Sequence, residues 1–327
     1  MRNLKFSAGL ALAITGWMAV NVAFANPNGL AQSQGLDPNN PVVSNGNTLT
    51  INQVDARAIL HWQQFNIAPN EVTRFVQPSA QSIALNRIFD ANPSQILGSL
   101  QANGSIILLN PNGVLFGQGA QVNVSGLIAS SLDLRNEDFL NGQYRFGIEG
   151  TPLVRGSVAN LGTIETGAGG FVFLLAPNVS NNGIIRTPEG EILLTAGTTV
   201  YLSERPDGSG FLWEVSIRSG EATNLRDLIA DGGRVGLFGR TVRQTGLIQA
   251  NSVREKNGRI ELIATDQVDI TGGRTVADKG ALLLRQTDFA VDDTLFSQLS
   301  EQAVQNIELQ AYRDITVVAS AADLSSW

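Results

Sequence analysis

Several residue types that carry common protein chemistry are scarce or absent from this chain. It has no cysteine, so no disulfide staples the fold and no thiol can serve as a nucleophile or a metal ligand. A single histidine without cysteine builds no zinc site. Charged residues make up 16% of the chain, with 22 basic against 29 acidic side chains, and no block of Lys or Arg follows the N-terminus. Nucleic acid is therefore not the predicted partner.

Nucleophile motifs and phosphate-binding glycine loops are also missing from the sequence. Beyond residue 25, no apolar run approaches the roughly 20 residues that a membrane-spanning helix needs. No cofactor and no metal site is predicted from these patterns.

The first 25 residues have the composition of an export signal. Arg2 and Lys5 supply a positive start, residues 8–20 are mostly apolar, and residues 23–25 (AFA) fit a small-x-small cleavage site. A membrane anchor is disfavoured because the apolar stretch is short and carries polar residues. The sequence predicts a signal peptide at 1–25 and a mature chain that starts at residue 26.

Short apolar strands that open on glycine recur along the chain. The starts lie 20 residues apart between Gly170 and Gly190, and 25 residues apart between Gly233 and Gly258. Spacings of this size are typical of a solenoid, and the gaps are too short for crossover helices. We therefore predict an all-β fold, a right-handed parallel β-helix with three short strands per coil. An antiparallel sandwich is the alternative, since it also has short strands at regular spacing.

The pattern changes along the chain and divides it. Residues 26–100 alternate like strands without the coil period, which predicts an N-terminal cap over the first edge of the solenoid together with its first strands. The β-helix core is predicted at 101–275, with a lateral insertion at about 203–232 that contains a short helix behind Asn224. Residues 276–327 are interpreted as further or incomplete coils.

Some β-helices are carbohydrate-active enzymes that use clustered carboxylates, so a polysaccharide lyase or hydrolase is the alternative function. The acids do not repeat at the coil period, which favours solvated turns over catalysis. His61 is interpreted as a half-buried side chain. The acid candidates are Asp292 with Asp293, Asp266 with Asp269, and Glu137 with Asp138.

Two further groups of side chains invite a functional interpretation. Asn103, Asn123 and Asn178 match the N-glycosylation pattern, but matches at this frequency are expected by chance in a chain rich in Asn and Ser, so a turn role is favoured. The aromatic residues of the coil strands are interpreted as core stacking rather than a ligand platform. They are Phe171, Phe173 and Phe238.

Several motifs recur in a recognisable order. They are residues 75–79 (FVQPS), 84–88 (ALNRI), 94–100 (SQILGSL), 103–104 (NG), 110–113 (NPNG) and 121–133 (QVNVSGLIASSLD). Together they resemble the two-partner-secretion domain of filamentous-haemagglutinin-like exoproteins, most of all its high-molecular-weight adhesin branch. The resemblance implies a β-helix with an N-terminal cap. It also implies recognition by the periplasmic domains of an outer-membrane β-barrel transporter.

The same resemblance implies a non-enzymatic adhesin or haemagglutinin-type protein, secreted or held at the surface of a Gram-negative bacterium after passing through the general export pathway and the periplasm. Glycans or receptors on host or bacterial cells are the implied binding partners. Members of the family usually continue into a long C-terminal region. The resemblance therefore leaves open a truncated gene, a small exoprotein and a decoy-like secreted domain. It also leaves open a toxin or contact-inhibition role in place of adhesion.

The secretion motif implied by the resemblance falls on Asn110, Pro111, Asn112 and Gly113. Its local chemistry is that of a corner: proline cannot donate to a strand ladder, and Asn-Gly favours a tight turn with positive φ. A second family element, Asn-Pro-Asn-Leu, is missing, and its place is taken by Gln77 and its neighbours.

Overall fold

The structure is a computed structural model that describes residues 26–147, 155–205, 210–217, 219–254 and 256–318. The predicted signal peptide lies outside the described residues. Apart from two short helices, the elements are strands. In chain order they are β1 Asn28–Gln34, β2 Val42–Asn45, β3 Thr48–Asn52, β4 Arg57–Gln64, β5 Val72–Val76, β6 Ile83–Ile88, β7 Ser94–Ile96, β8 Ser99–Ala102, β9 Ser105–Leu109, β10 Val114–Phe116, β11 Gln121–Ser130, α1 Asn136–Leu140, β12 Tyr144–Phe146, β13 Val158–Asn160, β14 Thr163–Ala176, β15 Val179–Asn181, β16 Ile184–Arg186, β17 Glu191–Ala196, β18 Thr199–Glu204, β19 Phe211–Ser216, β20 Glu221–Asn224, β21 Asp227–Ile229, β22 Arg234–Gln244, β23 Leu247–Gln249, β24 Arg259–Asp269, β25 Arg274–Val291, α2 Asp293–Ser300 and β26 Ala303–Val317.

The parallel strands pair in three stacks. The first stack runs β3, β5, β8, β11, β14, β16, β21, β23, β25. The second runs β4, β6, β9, β11, β14, β17, β22, β24, β25, β26. The third runs β7, β10, β13, β15, β20, β22, β24. The prediction of an all-β fold built from parallel strands is confirmed, and the antiparallel sandwich is not the fold.

Apolar side chains fill the space enclosed by the three stacks. Because neighbouring strands are parallel and in register, one residue per strand repeats at the same inward position. In the first stack this column consists of Leu100, Val122, Ile164, Ile185, Leu228 and Ile248, each at most 1% exposed. Burying a side chain of this size contributes about 1.5–3 kcal/mol. The stacked core therefore supplies the stability that disulfides provide in other exported proteins.

A buried column of amides runs beside the apolar core at the end of the third stack. The Asn160 side chain donates to Asn181 at 2.8 Å, Asn181 donates to Asn224 at 2.8 Å, and Asn224 donates to Gln244 at 2.8 Å. All four side chains are fully buried. We call this the amide ladder. Each amide also donates to the carbonyl two residues ahead of it and so holds the turn that follows the strand.

The amide ladder explains why the predicted helix behind Asn224 is wrong. Asn224 ends β20, which pairs with β15, and the next residues form β21, which pairs with β16. Residues 221–229 therefore belong to the stacks. The lateral part of this region is the hairpin of β18 and β19.

A small antiparallel sheet packs on the outside of the second stack. It consists of β12, β18 and β19 and covers outward-facing apolar residues of that stack. Phe173 is fully buried in this second cluster, Phe238 is 8% exposed, and Phe171 stacks on Phe173 with ring centroids 5.1 Å apart. These rings thus pack outside the stacks, under the lateral sheet.

Strands pair antiparallel at the N-terminal end of the stacks and parallel at the C-terminal end. At the N-terminal end, β1 pairs antiparallel with β4, and β2 pairs antiparallel with β3. At the other end, α2 leads into β26, which pairs with β25 along most of its length. Among the described residues, no helix is long and apolar enough to cross a membrane.

Candidate functional site

The predicted motif at residues 110–113 forms a tight corner between β9 and β10. The backbone N–H of Gly113 donates to the carbonyl of Asn110 at 2.9 Å, which closes the turn. The Asn110 Oδ1 atom accepts from the N–H of Asn112 at 2.9 Å, as is common for asparagine at the start of a turn. Proline between them has no N–H to satisfy. The residue types of the motif therefore account for its local shape.

Asn110 is fully buried and joins the corner to the preceding turn. Its Nδ2 donates to the carbonyl of Asn92 at 3.0 Å and contacts the hydroxyl of Ser94 at 3.0 Å. Leaving a buried donor or acceptor without a partner costs about 1–3 kcal/mol. Asn110 thus ties two successive turns together.

Gly113 has to be glycine for two independent reasons. Its φ is +107°, a conformation that other residues rarely adopt. A Cβ atom at this position would also lie 2.4 Å from the carbonyl oxygen of Ser157 in the next layer. The next layer approaches from its own side with Gly156, whose N–H donates to the carbonyl of Pro111 at 2.8 Å. Glycines on both chains allow this close backbone contact.

The middle of the motif faces solvent. Pro111 and Asn112 are exposed, while Asn110 and Gly113 are buried. The Asn112 side chain donates to the carbonyl of Asp90 at 2.8 Å. Its Oδ1 atom carries no hydrogen bond among the described residues. At this corner Pro111 and Asn112 are therefore accessible to solvent, and the buried contacts of Asn110 hold them in place.

Gln77, at the place of the missing second family element, is an internal brace. Its Nε2 donates to Gln53 Oε1 at 2.9 Å, and its Oε1 accepts from the N–H of Gly104 at 2.9 Å. The backbone of Gln77 exchanges two hydrogen bonds with the side chain of Asn103, at 2.8 and 2.7 Å. With 5% of its surface exposed, Gln77 offers no contact surface of its own.

The three glycosylation candidates differ in how their side chains are used. Asn103 is exposed, but both polar atoms of its amide bind Gln77. Asn178 accepts from the N–H of Glu221 at 3.2 Å. Asn123 is exposed on β11, and no hydrogen bond of its side chain is found in the described part of the chain. The structural role expected for these residues holds most clearly for Asn103.

Of the acidic candidates for catalysis, Asp266 and Asp292 line one cavity, and each is engaged in a local contact. Asp292 caps α2 by accepting from the N–H of Leu295 at 2.9 Å. Asp266 forms an exposed ion pair with Arg240, at 2.6 Å. The remaining acids serve local structure: Asp293 lies in the first turn of α2, Asp269 accepts from the backbone of Thr271, and Glu137 and Asp138 lie in the first turn of α1. Within the described ranges, no group of three His, Cys, Asp or Glu residues could hold a metal ion.

His61 lies on β4 and is half-buried, as expected. Burial, and to a lesser degree the nearby charge of Arg87, lowers its pKa. Its ring meets the ring of Phe89 edge to face, with centroids 5.5 Å apart. Phe89 itself is 65% exposed. This contact is a packing interaction and gives His61 no chemical role.

Sequence reasoning missed a buried carboxylate that anchors the lateral hairpin. Glu191 on β17 accepts from the N–H of Phe211 at 2.8 Å and lies 3.4 Å from the guanidinium of Arg205. Burial raises the pKa of Glu191, although these two contacts oppose the shift. Nearby, the guanidinium of Arg234 lies 3.8 Å from the ring centroid of Trp213. Long-range contacts of this kind leave no mark in the sequence.

Comparisons with known proteins agree on the family. The family description TPS secretion domain matches residues 23–284. Two curated relatives, both from Haemophilus influenzae, carry the name heme/hemopexin-binding protein. One is 34% identical over 240 residues, which is 68% of this chain and 26% of the relative. The other is 41% identical over 98 residues, which is 30% of this chain and 11% of the relative.

A solved structure supports the same assignment. The crystal structure of the HMW1 secretion domain from Haemophilus influenzae matches with a TM-score of 0.69 at 27% identity, covering 89% of this chain and 84% of that one. The stacked parallel strands are therefore a β-helix, as in that domain. For this domain the expectation of a non-enzymatic protein is confirmed, and the lyase or hydrolase alternative is dropped. The chain spans about a quarter of the length of the first curated relative. It belongs to the TPS secretion domains, which are part of secreted two-partner-secretion exoproteins of Gram-negative bacteria.

Proposed function

We propose that this domain is recognised by the periplasmic domains of an outer-membrane β-barrel transporter, which moves the chain to the cell surface or the medium. Residues 1–25 would direct the chain through the general export pathway into the periplasm. Membership of the TPS secretion domains supports this route. In the same proposal, the β-helix is right-handed with three strands per coil, and residues 26–100 supply its N-terminal cap and its first strands.

The role that we propose for residues 110–113 rests on which of their side chains are exposed. The motif separates into a buried pair that holds the fold, Asn110 and Gly113, and an exposed pair, Pro111 and Asn112. The folded structure needs the buried pair, as the contacts with Asn92 and Ser157 explain. It needs the exposed pair much less. We infer that Pro111 and Asn112 are the part of the corner available to the transporter.

The test is co-expression with the cognate transporter, measuring secreted against periplasmic protein. Asn112→Ala removes one exposed hydrogen bond and is expected to lower export without lowering the thermal midpoint. Gly113→Val is expected to lower both, because its Cβ has no room and its φ is unfavourable. Asn123→Ala, which changes an exposed asparagine of β11 away from the corner, is the control.

The outcomes separate recognition from folding. If Asn112→Ala is exported at the wild-type level while Gly113→Val is not, the motif is a structural turn alone and our assignment to recognition is wrong. If Asn110→Ala follows Gly113→Val in both readouts, the buried pair acts through stability, as its contacts imply.

The ligand of the whole exoprotein is a separate proposal. The resemblance of the sequence motifs to the high-molecular-weight adhesin branch favours the adhesin type, with surface glycans or receptors as partners. The curated relatives favour a second candidate, a protein of the heme/hemopexin-binding type. Binding of the secreted protein to cell-surface glycans and to hemopexin, measured side by side with this domain alone as control, distinguishes the two types.

A further inference from the structure

A cavity of about 610 Å³ lies where the lateral sheet meets the second stack. We call it the junction cavity. Its size falls within the range of about 300–1,000 Å³ that small-molecule sites occupy. Its walls come from β4, β6, β9, β11, β12, β14, β18 and β19, so the cavity exists only when the lateral sheet is docked on the stack.

One wall of the cavity is a rigidly held cation. The Nη1 atom of Arg57 donates to the carbonyl of Phe139 at 3.1 Å and to the hydroxyl oxygen of Tyr144 at 2.9 Å. The guanidinium also lies 5.5 Å from the ring centroid of Phe139 and 5.8 Å from that of Tyr144. No acidic side chain in the described part of the protein forms an ion pair with Arg57. The guanidinium is thus fixed in place and has no anionic partner among the residues that the structure describes.

A second donor lies beside this cation. Tyr144 is 3% exposed, and its oxygen accepts the hydrogen bond from Arg57. Burial raises the pKa of Tyr144 and outweighs the opposing effect of Arg57, so the phenol keeps its proton at neutral pH. That proton has no acceptor among the described residues. Arg57 and Tyr144 together offer the two donors that a carboxylate can accept.

The other walls are apolar and aromatic. The rings of Phe171 and Phe211 pack edge to face, with centroids 5.1 Å apart, and both residues line the cavity together with Ile83 and Ile128. The ring of Phe211 also meets the ring of Tyr144 edge to face, with centroids 6.1 Å apart. An apolar wall beside charged and hydroxyl donors is the arrangement expected for a ligand that has a ring next to an anion. Among the lining residues, Glu204 supplies the one negative charge.

We propose that the junction cavity binds a small carboxylate that carries an aromatic or aliphatic ring. The carboxylate accepts hydrogen bonds from Arg57 and Tyr144, and the ring packs against Phe171 and Phe211. Glu204 weakens the binding of any anion and limits affinity. This site lies on the lateral sheet and goes beyond the proposed role in secretion.

Titration calorimetry of the purified protein with phenylacetate, acetate and sulfate tests the site. We expect phenylacetate to bind about tenfold or more tightly than acetate or sulfate, because only phenylacetate has both the anion and the ring. Arg57→Gln is expected to weaken phenylacetate binding about tenfold or more. Glu204→Gln is expected to strengthen it.

Two variants guard against a simple folding defect. Gly167→Leu keeps Arg57 and places a side chain in open space at the cavity wall, where a Cβ atom meets nothing within 4 Å, so it should block the site in a folded protein. Arg74→Gln, an exposed arginine on β5 outside the cavity, is the matched control and should bind as the wild type does.

Absence of phenylacetate binding to the wild type, or unchanged affinity in Arg57→Gln or Gly167→Leu, overturns the proposal. Equal affinity for acetate and phenylacetate overturns the role of the aromatic wall.

Discussion

Asn181 sits in the middle of the amide ladder, and Asn181→Ala is the most informative change in this fold. Its Nδ2 atom donates to Asn224, and its Oδ1 atom accepts from Asn160 and from the N–H of Gly183. Alanine removes the donor to Asn224 Oδ1 and the acceptor for the Gly183 N–H. Neither group has another partner among the described residues.

The magnitude follows from these two groups. Each buried polar group left without a partner costs about 1–3 kcal/mol, so Asn181→Ala is expected to lower the free energy of unfolding by about 2–6 kcal/mol. Asn160→Ala is expected to cost less, about 1–3 kcal/mol, because it leaves only the N–H of Gly162 without its acceptor. The first amide of the ladder should matter less than the second.

Urea denaturation followed by far-ultraviolet circular dichroism measures both changes. Asn123→Ala is the control, since this exposed side chain should change stability by no more than about 0.5 kcal/mol. Hydrogen exchange of the amides in β16 then locates the loss. If Asn181→Ala unfolds at the same urea concentration as the control, or if Asn160→Ala is the more damaging change, the amide ladder does not stabilise the fold in the way we describe.

Three further predictions concern other contacts. Burial raises the pKa of Glu191, so between the ordinary and the raised pKa the folded protein holds a proton that the unfolded chain releases. The stability of the protein should therefore rise as the pH falls through the raised pKa towards the ordinary value. In thermal unfolding measured across pH, Glu191→Gln should reduce this dependence of stability on pH. Asp292→Ala should lower the free energy of unfolding by about 1 kcal/mol in urea denaturation, because the side chain that caps α2 is lost. Gly236→Ala should displace the indole of Trp213, since the new Cβ would lie 2.4 Å from that ring, and a shift in tryptophan emission would report it; an unchanged spectrum would contradict the packing.

The stacked strands could be predicted from the sequence because the pattern that marks them lies within short segments of the chain. Strands that open on glycine, such as β17 after Gly190 and β24 after Gly258, repeat at nearly constant spacing and carry apolar residues. The sequence predicts a helix after Asn224, where the structure has a strand, because a short apolar run fits a helix and a strand equally well. The strand is held in its layer by contacts such as the hydrogen bond between Asn181 and Asn224, which lie 43 residues apart in the sequence.

Of the candidate site, the sequence predicts the turn itself but not the residues of other layers that contact it. Asn112 and Gly113 predict a tight turn from residue type alone, and the positive φ of Gly113 agrees. The partners of Asn110 lie 16 and 18 residues earlier, and the carbonyl that excludes a side chain at Gly113 belongs to Ser157. Identifying them requires the register between layers, which sequence periodicity does not supply.

The lateral sheet affects how the chain closes on itself during folding. Asn160 and Asn181 lie 21 residues apart, whereas Asn181 and Asn224 lie 43 apart because the hairpin of β18 and β19 intervenes. Doubling the length of a flexible loop adds only about 0.6 kcal/mol to its closure entropy. An insertion of this length therefore hardly hinders the next layer from docking on the last. The corners of this β-helix can accept additional structure at little thermodynamic cost, so new surfaces can be added to the domain while its layers still stack.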